Sequence, residues 1–296
     1  MTTTTNTLIA KHLSACNYLG TYASGSPEWH AARNEQGVIS GSEIGAILGL
    51  SPFKSAFTLW AEKVGLLPVD QVGNVAMRLG QLVEPAIRQL FVEQHPDFSV
   101  EELGTYAHPE NSWAHANVDG LGVDDKGELF ILEIKHTATY WDSVPEHYRA
   151  QAFWYMYVLN VKRTIFAVVN AGRYKEYEVV WDDFEFQAIL QRVTEFRQLV
   201  LDQVKPAWDG SESTFETVRA LAPDIENRNE ELGQLGIELF NANLKVKEAE
   251  THLLEMKSRV MDALNGAKYG TIDGQVVVTL SQRGAGKPFL TIKEGK

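Results

Sequence analysis

The stretch that decides the fold runs from Asn117-Val118-Asp119-Gly120 to Leu129-Phe130-Ile131-Leu132-Glu133-Ile134-Lys135. The second segment is almost wholly apolar until Glu133, which is typical of a strand buried on both faces. The turn signal at Asp124-Asp125-Lys126-Gly127 predicts a hairpin that folds Asp119 back beside the end of this strand. Because side chains two apart on a strand share a face, Glu133 and Lys135 are expected to project together, beside Asp119.

The predicted convergence of two carboxylates and one ammonium suits phosphodiester hydrolysis. Mg²⁺ prefers a few carboxylate oxygens, a backbone carbonyl and several retained waters. Asp119, Glu133 and the Ile134 carbonyl are the predicted ligands. Lys135 is predicted to orient the attacking water or to offset charge on the phosphorane. The alternative is a structural salt bridge between Lys135 and one acid, because this spacing also occurs by accident in many chains.

Two predicted helices supply further polar groups to the same region. Residues 75–94 have apolar side chains at helical spacing, with Glu84 beside this stripe; its members are Leu79, Leu82, Val83, Ile87, Leu90 and Phe91. Gln81, Glu84 and Arg88 form a polar strip that faces either a cleft or solvent. A second helix, opened by Pro145, carries Gln151 and Tyr155 one turn apart. A glutamine in so apolar a helix needs hydrogen-bond partners, near Glu133 and Lys135 or on a DNA phosphate.

The segment Ser40-Gly41-Ser42-Glu43 has the pattern of a capping box and predicts a helix through Leu48 that ends at Gly49. A helix N-terminus with free amide groups binds anions. Arg33 lies just upstream, with a guanidinium suited to bidentate phosphate contact. The alternative is that Ser40 only caps the helix and that Arg33 lies on the surface.

Composition bounds the class of protein. The chain has 296 residues and a formal net charge of −12, which argues against a protein that coats nucleic acid generally, though an enzyme needs only a local positive groove. The single cysteine, Cys16, excludes a disulfide framework and a four-cysteine iron–sulfur cluster. Without a signal peptide or a long apolar run, the expectation is a soluble cytoplasmic protein with no membrane contact.

Beyond Pro206 the composition changes, and three domains are predicted: an N-terminal tail (1–26), an α/β domain (27–205) and a C-terminal extension (206–296). The extension has an apolar heptad seam from Ile225 to Ala263 that predicts a long helix stopped by Gly266. Asp273-Gly274 then predicts a β-hairpin. The seam packs on the chain's own first domain, on another subunit, or on a separate partner; its pattern does not decide between them.

Six ordered motifs resemble a known family. They are Trp29-His30-Ala31-Ala32-Arg33 with Gly37 to Ile44, Ala46 to Ser55, Gly80-Gln81-Leu82-Val83-Glu84-Pro85, Val118-Asp119-Gly120-Leu121, Leu132-Glu133-Ile134-Lys135 and Tyr148-Arg149-Ala150-Gln151. Together they resemble the YqaJ-like viral recombinase, or lambda exonuclease, branch of the PD-(D/E)XK nuclease superfamily over residues 27–205. Val118 stands where the family pattern has proline.

The resemblance implies a PD-(D/E)XK restriction-endonuclease-like α/β core, a central mixed sheet flanked by helices, followed by the long-helix and hairpin extension. It implies a 5′→3′ exonuclease on linear double-stranded DNA that uses Mg²⁺, with Mn²⁺ able to substitute and two ions per site. The implied catalytic residues are Glu84, Asp119, Glu133, Lys135 and Gln151, with Glu84 a possible further metal ligand. The implied DNA and 5′-phosphate contacts are Arg33, Ser40, Ser42, Arg78 and Tyr155.

The same resemblance implies partners. They are double-stranded DNA ends, a phage single-strand annealing protein that takes up the 3′ overhangs, and other copies of the chain, in a ring-shaped trimer. Two alternatives stay open on the sequence: an endonuclease or single-strand nuclease of the same fold, and a non-catalytic protein that binds DNA ends.

Overall fold

The computed structural model describes residues 2–22, 26, 35–68 and 75–293. The chain forms two compact units, Met1–Pro223 and Asp224–Lys296. Both units contain helices and strands, and the larger combines parallel with antiparallel strand pairs. The predicted α/β class is confirmed.

The first unit contains both helices and strands along its length. Its helices are α1 (Thr2–Leu13), α2 (Ile44–Ile47), α3 (Ala56–Lys63), α4 (Val75–Gln94), α5 (Glu146–Leu159), α6 (Asp183–Leu201) and α7 (Glu212–Ala220), with a 3-10 turn at Gly41–Glu43. Its strands are β1 (Asn17–Gly20), β2 (Ile39–Ser40), β3 (Ser99–Glu101), β4 (Thr105–Ala107), β5 (Ala114–Asn117), β6 (Gly120–Val123), β7 (Leu129–Thr137), β8 (Arg163–Asn170) and β9 (Arg173–Val180).

The main sheet has five strands in the order β3-β6-β7-β8-β9. β6 and β7 form the predicted antiparallel hairpin, whose turn is held by two backbone amides that donate to Asp124 Oδ1, from Lys126 at 3.0 Å and Glu128 at 2.8 Å. β7 runs parallel to β8, and α5 makes the crossover between them. Crossovers between parallel strands are almost always right-handed, and α5 packs on one face of the sheet.

α5 lies at the centre of the larger hydrophobic core. Its Phe153 and Trp154 are fully buried together with Phe166 of β8. A second sheet, in the order β1-β4-β5-β2, packs against the same helix through β4 and β5. Its β2 and β5 are parallel, with Ser40 opposite His115. α5 therefore joins the two sheets, and the polar residues on its surface lie between them.

α4 has the predicted boundaries, but only its second half is buried. Ile87 and Phe91 pack against Phe130 of β7 in a smaller apolar cluster. Leu79 and Leu82, predicted to belong to the buried stripe, are 44% and 61% exposed, which corrects that prediction. The buried cluster involves the C-terminal half, so a regular 3-4 pattern overstates the length of helix in contact with the sheet.

Segments on both sides of residues 27–205 pack on the first unit, and the division into three domains stays a prediction. Ile9 of α1 is fully buried and β1 pairs with β4, so residues before 27 contribute to the first unit. α7 also packs on this unit, where Thr214 Oγ1 donates to Ser55 Oγ at 2.8 Å and Thr58 Oγ1 lies 2.7 Å from Thr217 Oγ1. These buried hydroxyl contacts tie the segment after Pro206 to α3, and the first unit extends to Pro223.

The second unit consists of α8 (Gln234–Leu264), β10 (Tyr269–Ile272), β11 (Gln275–Ser281) and β12 (Phe289–Ile292), with the three strands in one antiparallel sheet. The predicted turn is present, with positive φ angles at Asp273 and Gly274. The long helix begins at Gln234 rather than near Ile225, and no side chain along it is buried. No helix in the described part of the chain is long and apolar enough to cross a membrane.

Candidate active site

The β6–β7 hairpin brings Asp119 beside Glu133. Gly120 pairs with Leu132 across the hairpin, so Asp119 lies at the point where Glu133 follows on the other strand. The Ile134 amide donates to Asp119 Oδ2 at 2.6 Å, which fixes that carboxylate over β7. Sequence spacing and the turn therefore produce the predicted juxtaposition.

Glu133 and Lys135 form a close ion pair in the second half of β7. Lys135 Nζ donates to Glu133 Oε1 at 2.5 Å, and the Glu133 residue is 3% exposed. Burial and the nearby Asp119 carboxylate raise the pKa of Glu133, although Lys135 acts in the opposite direction. Burial alone would lower the pKa of Lys135, but Glu133 and Asp119 raise it. Lys135 therefore stays protonated. The raised pKa of Glu133 shows that its carboxylate still favours a further positive charge next to it.

α4 contributes Glu84 and Arg88 to the same cluster. Arg88 donates from Nη1 to the Asp119 carbonyl at 2.7 Å and from Nη2 to Glu84 Oε1 at 3.1 Å. Burial and the charge of Asp119 raise the pKa of Glu84, while Arg88 lowers it. Arg78, by contrast, is exposed and donates to Gln81 on its own helix at 3.2 Å, so no contact joins it to the carboxylates.

Gln151 and Tyr155 approach Glu133 from α5. Gln151 Nε2 donates to Glu133 Oε1 at 3.2 Å and to the Tyr155 hydroxyl at 2.9 Å, and both residues are buried. The Tyr155 ring packs against Gly41, where an added Cβ would lie 2.2 Å from a ring carbon. Only glycine at position 41 permits this approach, which places the Ser40–Ser42 segment beside the carboxylates.

The Ser40–Glu43 segment is held by a buried ion pair. Glu43 Oε2 accepts from the Ser40 amide at 2.8 Å, which is the glutamate half of the predicted capping box. Glu43 Oε1 lies 2.8 Å from Nζ of the buried Lys63, which also donates to the Val38 carbonyl at 2.8 Å. No sequence pattern points to Lys63, because its role depends on packing of α3 under this segment.

An enclosed pocket of about 120 Å³ lies between these elements. It is lined by Tyr22, Ser40, Ser42, Thr105, His115, Ala116, Asn117, Asp119, Glu133 and Tyr155. Three polar atoms of lining residues, Ser40 Oγ, His115 Nδ1 and Glu133 Oε2, are buried with no hydrogen-bond partner in the structure as described. Buried polar atoms are normally paired, so these three indicate where a ligand, an ion or water completes the site. Arg33 lies outside the described residues.

The donor set fits a hard divalent cation. The buried Glu133 Oε2 has no hydrogen-bond partner among the described residues, and Asp119 lines the same pocket. No group of three or more His, Cys, Asp and Glu side chains suited to a metal occurs within residues 2–22, 26, 35–68 and 75–293. Two carboxylates completed by a carbonyl and waters is the arrangement that Mg²⁺ accepts more readily than Zn²⁺. The Ile134 carbonyl remains a predicted ligand.

His115 and Asn117 were not singled out by the sequence, although a signal existed. Residues 115, 117 and 119 are every second position of one segment, and in an extended segment such residues share a face. The place of His115 in the pocket depends on the pairing of β5 with β2, which no local pattern predicts.

Comparison with known proteins identifies relatives of the whole arrangement. A model of the YqaJ-like viral recombinase domain matches residues 28–164. The uncharacterized protein YqaJ of Bacillus subtilis (strain 168) is 30% identical over 260 residues, which cover 83% of this chain and 80% of that protein.

Solved structures show the same fold. An alkaline exonuclease (LHK-Exo) from Laribacter hongkongensis matches with a TM-score of 0.50 and 22% identity, over 67% of this chain and 100% of that one. The same enzyme in complex with dAMP matches with a TM-score of 0.51 and 21% identity over the same shares. The predicted PD-(D/E)XK-like core is thereby confirmed, and the chain belongs to the YqaJ-like viral recombinase family.

Proposed function

We propose that the chain is a metal-dependent deoxyribonuclease that degrades linear double-stranded DNA from its 5′ ends. The observation that carries the proposal is the convergence of Asp119 and Glu133 on one pocket, with Lys135 paired to Glu133. Membership of a recombinase family and the fold of an alkaline exonuclease support nuclease chemistry for this cluster.

Asp119 and Glu133 are the proposed Mg²⁺ ligands, with the Ile134 carbonyl and Glu84 as further ones, and Mn²⁺ is expected to substitute. A bound divalent ion, or a pair of them, would polarise the scissile phosphate and acidify a water. The open Oε2 of Glu133 supports this assignment, because its other oxygen is already engaged by Lys135 and Gln151.

Lys135 and Arg88 have separate proposed roles. Lys135 holds its proton strongly between two carboxylates, so we assign it as a fixed positive charge that orients Glu133 and offsets charge developing on the phosphate. Arg88 bonds to the Asp119 carbonyl and to Glu84, and so sets the distance of α4 from the hairpin. Glu84 therefore lies close enough to influence the site through its charge.

The pocket supports action at a strand end. Its volume of about 120 Å³ is small, so it suits a terminal phosphate group better than a strand passing through. Ser40, Ser42 and Tyr155 line it and are the proposed phosphate contacts, together with Arg33, the one of these four outside the described residues. Arg78 is retained only as a contact to DNA outside the pocket, since it is exposed on α4.

The remaining details follow from the family resemblance. They are the 5′→3′ direction, release of 3′ overhangs to a phage single-strand annealing protein, and assembly of copies into a ring-shaped trimer around DNA. The net charge of −12 makes a local basic surface, rather than the whole molecule, the expected contact with DNA.

The first test uses linear duplex DNA with one 5′-phosphate and one 5′-hydroxyl end, beside circular DNA. We expect Mg²⁺-dependent removal of nucleotides from the 5′ ends. EDTA should abolish it, and circular DNA should stay intact. A charged hydrogen bond to the terminal phosphate contributes about 1.5 to 3 kcal/mol, so the phosphorylated end should react roughly 10- to 150-fold faster. Initial rates at each labelled end measure this. Cleavage of circular DNA would support the endonuclease alternative, and equal rates at both ends would remove the phosphate pocket.

Gln151→Leu should slow the reaction by about 10- to 100-fold, as for other groups that orient metal ligands. The substitution removes the hydrogen bonds to Glu133 and Tyr155 and introduces an apolar side chain of similar size. The Mg²⁺ concentration for half-maximal rate should rise as well. The matched control is Gln191→Leu, at an exposed glutamine of α6 that bonds to Glu195. A large fall in thermal midpoint with unchanged specific activity would assign Gln151 a structural role instead.

A further inference from the structure

Two of the three unpartnered atoms at the pocket belong to residues that are paired across neighbouring strands. Ser40 of β2 lies opposite His115 of β5, and Ser40 Oγ and His115 Nδ1 are both buried without a partner among the residues that the structure covers. The proposed metal ions account for the third atom, Glu133 Oε2, but not for these two. They therefore mark a second part of the pocket, next to the carboxylates.

The orientation of the His115 ring is fixed by its surroundings. Its Nε2 lies 3.0 Å from the Ser112 carbonyl, which can only accept, so Nε2 carries a hydrogen. The His115 carbonyl accepts from Trp154 Nε1 at 3.1 Å, which holds the backbone against α5. Nδ1 is therefore the atom that can change its hydrogen-bonding role: an acceptor in the neutral ring and a donor in the protonated ring.

The charges around His115 come from several elements. Burial lowers the pKa of His115, and Lys63 of α3 acts in the same direction. Glu35 and Glu43 act in the opposite direction, as does a hydrogen bond to the Ser112 carbonyl. The other titratable residues that line the pocket are Tyr22, Asp119, Glu133 and Tyr155. With the pocket filled by water, the ring is neutral near pH 7 and presents a lone pair at Nδ1.

A phosphate monoester would alter this balance. Above about pH 7 a terminal phosphate carries close to two negative charges, since its second pKa is about 6. Such a group has only acceptor oxygens, which repel the Nδ1 lone pair of a neutral ring. One proton placed between them turns the repulsion into a charge-assisted hydrogen bond.

We propose that His115 is the proton-binding residue of the strand-end pocket: a 5′-phosphate enters with uptake of one proton from solvent, held on His115 Nδ1 and donated to a phosphate oxygen, while Ser40 Oγ donates to another. This proposal rests on the proposed function and deepens it. The preference for phosphorylated ends is then a function of pH, greatest in neutral solution and lost as the pH rises.

The experiment compares kcat/KM on two duplexes that differ only in the 5′-phosphate, from about pH 7 to 9.5. Their ratio cancels the pH dependence of the metal, of the water and of every step that both ends share. The phosphate itself is already fully ionised over this range. For wild type the ratio should fall with rising pH, by up to about tenfold per unit while His115 in the complex still holds its proton, and should level off once that proton is lost.

Two variants separate the two ring nitrogens. Asn at position 115 places an amide N–H near the position of Nδ1, so His115→Asn should give a ratio above one that does not change with pH. Gln places its amide near Nε2, which keeps a donor for the Ser112 carbonyl and removes the pocket atom. His115→Gln should therefore give a small ratio at every pH. His252→Gln, at an exposed histidine of α8, is the control and should keep the wild-type profile.

A measurement on the unmodified protein keeps the proposal testable if the variants do not fold. Calorimetric binding without metal, in two buffers of different ionisation enthalpy, should show about one more proton taken up for the phosphorylated duplex than for the hydroxyl duplex. Equal uptake for the two, a pH-independent ratio in wild type, or a wild-type profile in His115→Gln would each overturn the assignment. Absence of any metal-dependent DNA hydrolysis by wild type would instead overturn the proposed function itself, which distinguishes the two failures.

Discussion

Replacing Lys135 with methionine should lower the single-turnover rate of DNA hydrolysis by about 10²- to 10³-fold, the range for loss of one group that stabilises transition-state charge. Lys135 Nζ donates to Glu133 Oε1 at 2.5 Å and its pKa is raised by Glu133 and Asp119, so its charge is present throughout the neutral range. Methionine keeps the length and volume of the stem. The loss should therefore appear at saturating Mg²⁺ and saturating DNA.

The same variant should bind Mg²⁺ at least as tightly as wild type, because the carboxylates lose their competing cation. Thermal shift on addition of Mg²⁺ measures this directly. Lys162→Met is the control, since Lys162 is exposed and its ammonium lies 4.0 Å from the centre of the Trp181 ring. Near-native turnover in Lys135→Met would show that the ion pair with Glu133 is only structural.

Glu133→Gln should lower the hydrolysis rate by about 10³-fold, the upper end of the cost of losing one transition-state-stabilising group. It should also abolish stabilisation by Mg²⁺. Saturation to about 100 times Kd contributes about 2.7 kcal/mol, or roughly 5 to 10 °C in Tm for a unit of this size. Because burial and Asp119 raise the pKa of Glu133, the charged carboxylate is unfavourable in the metal-free fold, and its neutral replacement should not lower the metal-free Tm.

Differential scanning calorimetry with and without Mg²⁺, beside initial rates, gives both quantities. Glu178→Gln provides the control, at a half-exposed glutamate of β9 that lies 3.5 Å from Arg163. An Mg²⁺-induced shift of wild-type size in Glu133→Gln would place the metal elsewhere. A large loss of metal-free stability would show that Glu133 serves mainly to hold Lys135 in the fold.

The parts of the fold that sequence predicted well are those set by local physics. The β6–β7 hairpin follows from an Asp-Asp-Lys-Gly turn between apolar runs, and Asp119, Glu133 and Lys135 follow from the two-residue repeat of a strand. The boundaries of α4 agree with the structure for the same reason. Its exposed first half does not follow, because the extent of contact with the sheet is a property of the tertiary fold.

What sequence could not predict depends on contacts between distant segments. β1 pairs with β4 across more than eighty residues, and α7 returns to bond with Ser55 of α3. Lys63 and His115 enter the site through packing of the same kind, so their own neighbours in the chain carry little information about them. The carboxylate cluster was predictable and the rest of its pocket was not.

The contact between Gly41 and the Tyr155 ring has a consequence for how this site can change during evolution. The ring touches the segment that carries Ser40 and Ser42, and its hydroxyl bonds to Gln151, which bonds in turn to Glu133. The segment proposed to face a strand end and the carboxylate proposed to face the scissile phosphate are thus connected by direct contacts. Neither can move without the other. A lineage that acquires a larger residue at position 41 has to replace Tyr155 in the same step, and these two positions are expected to vary together.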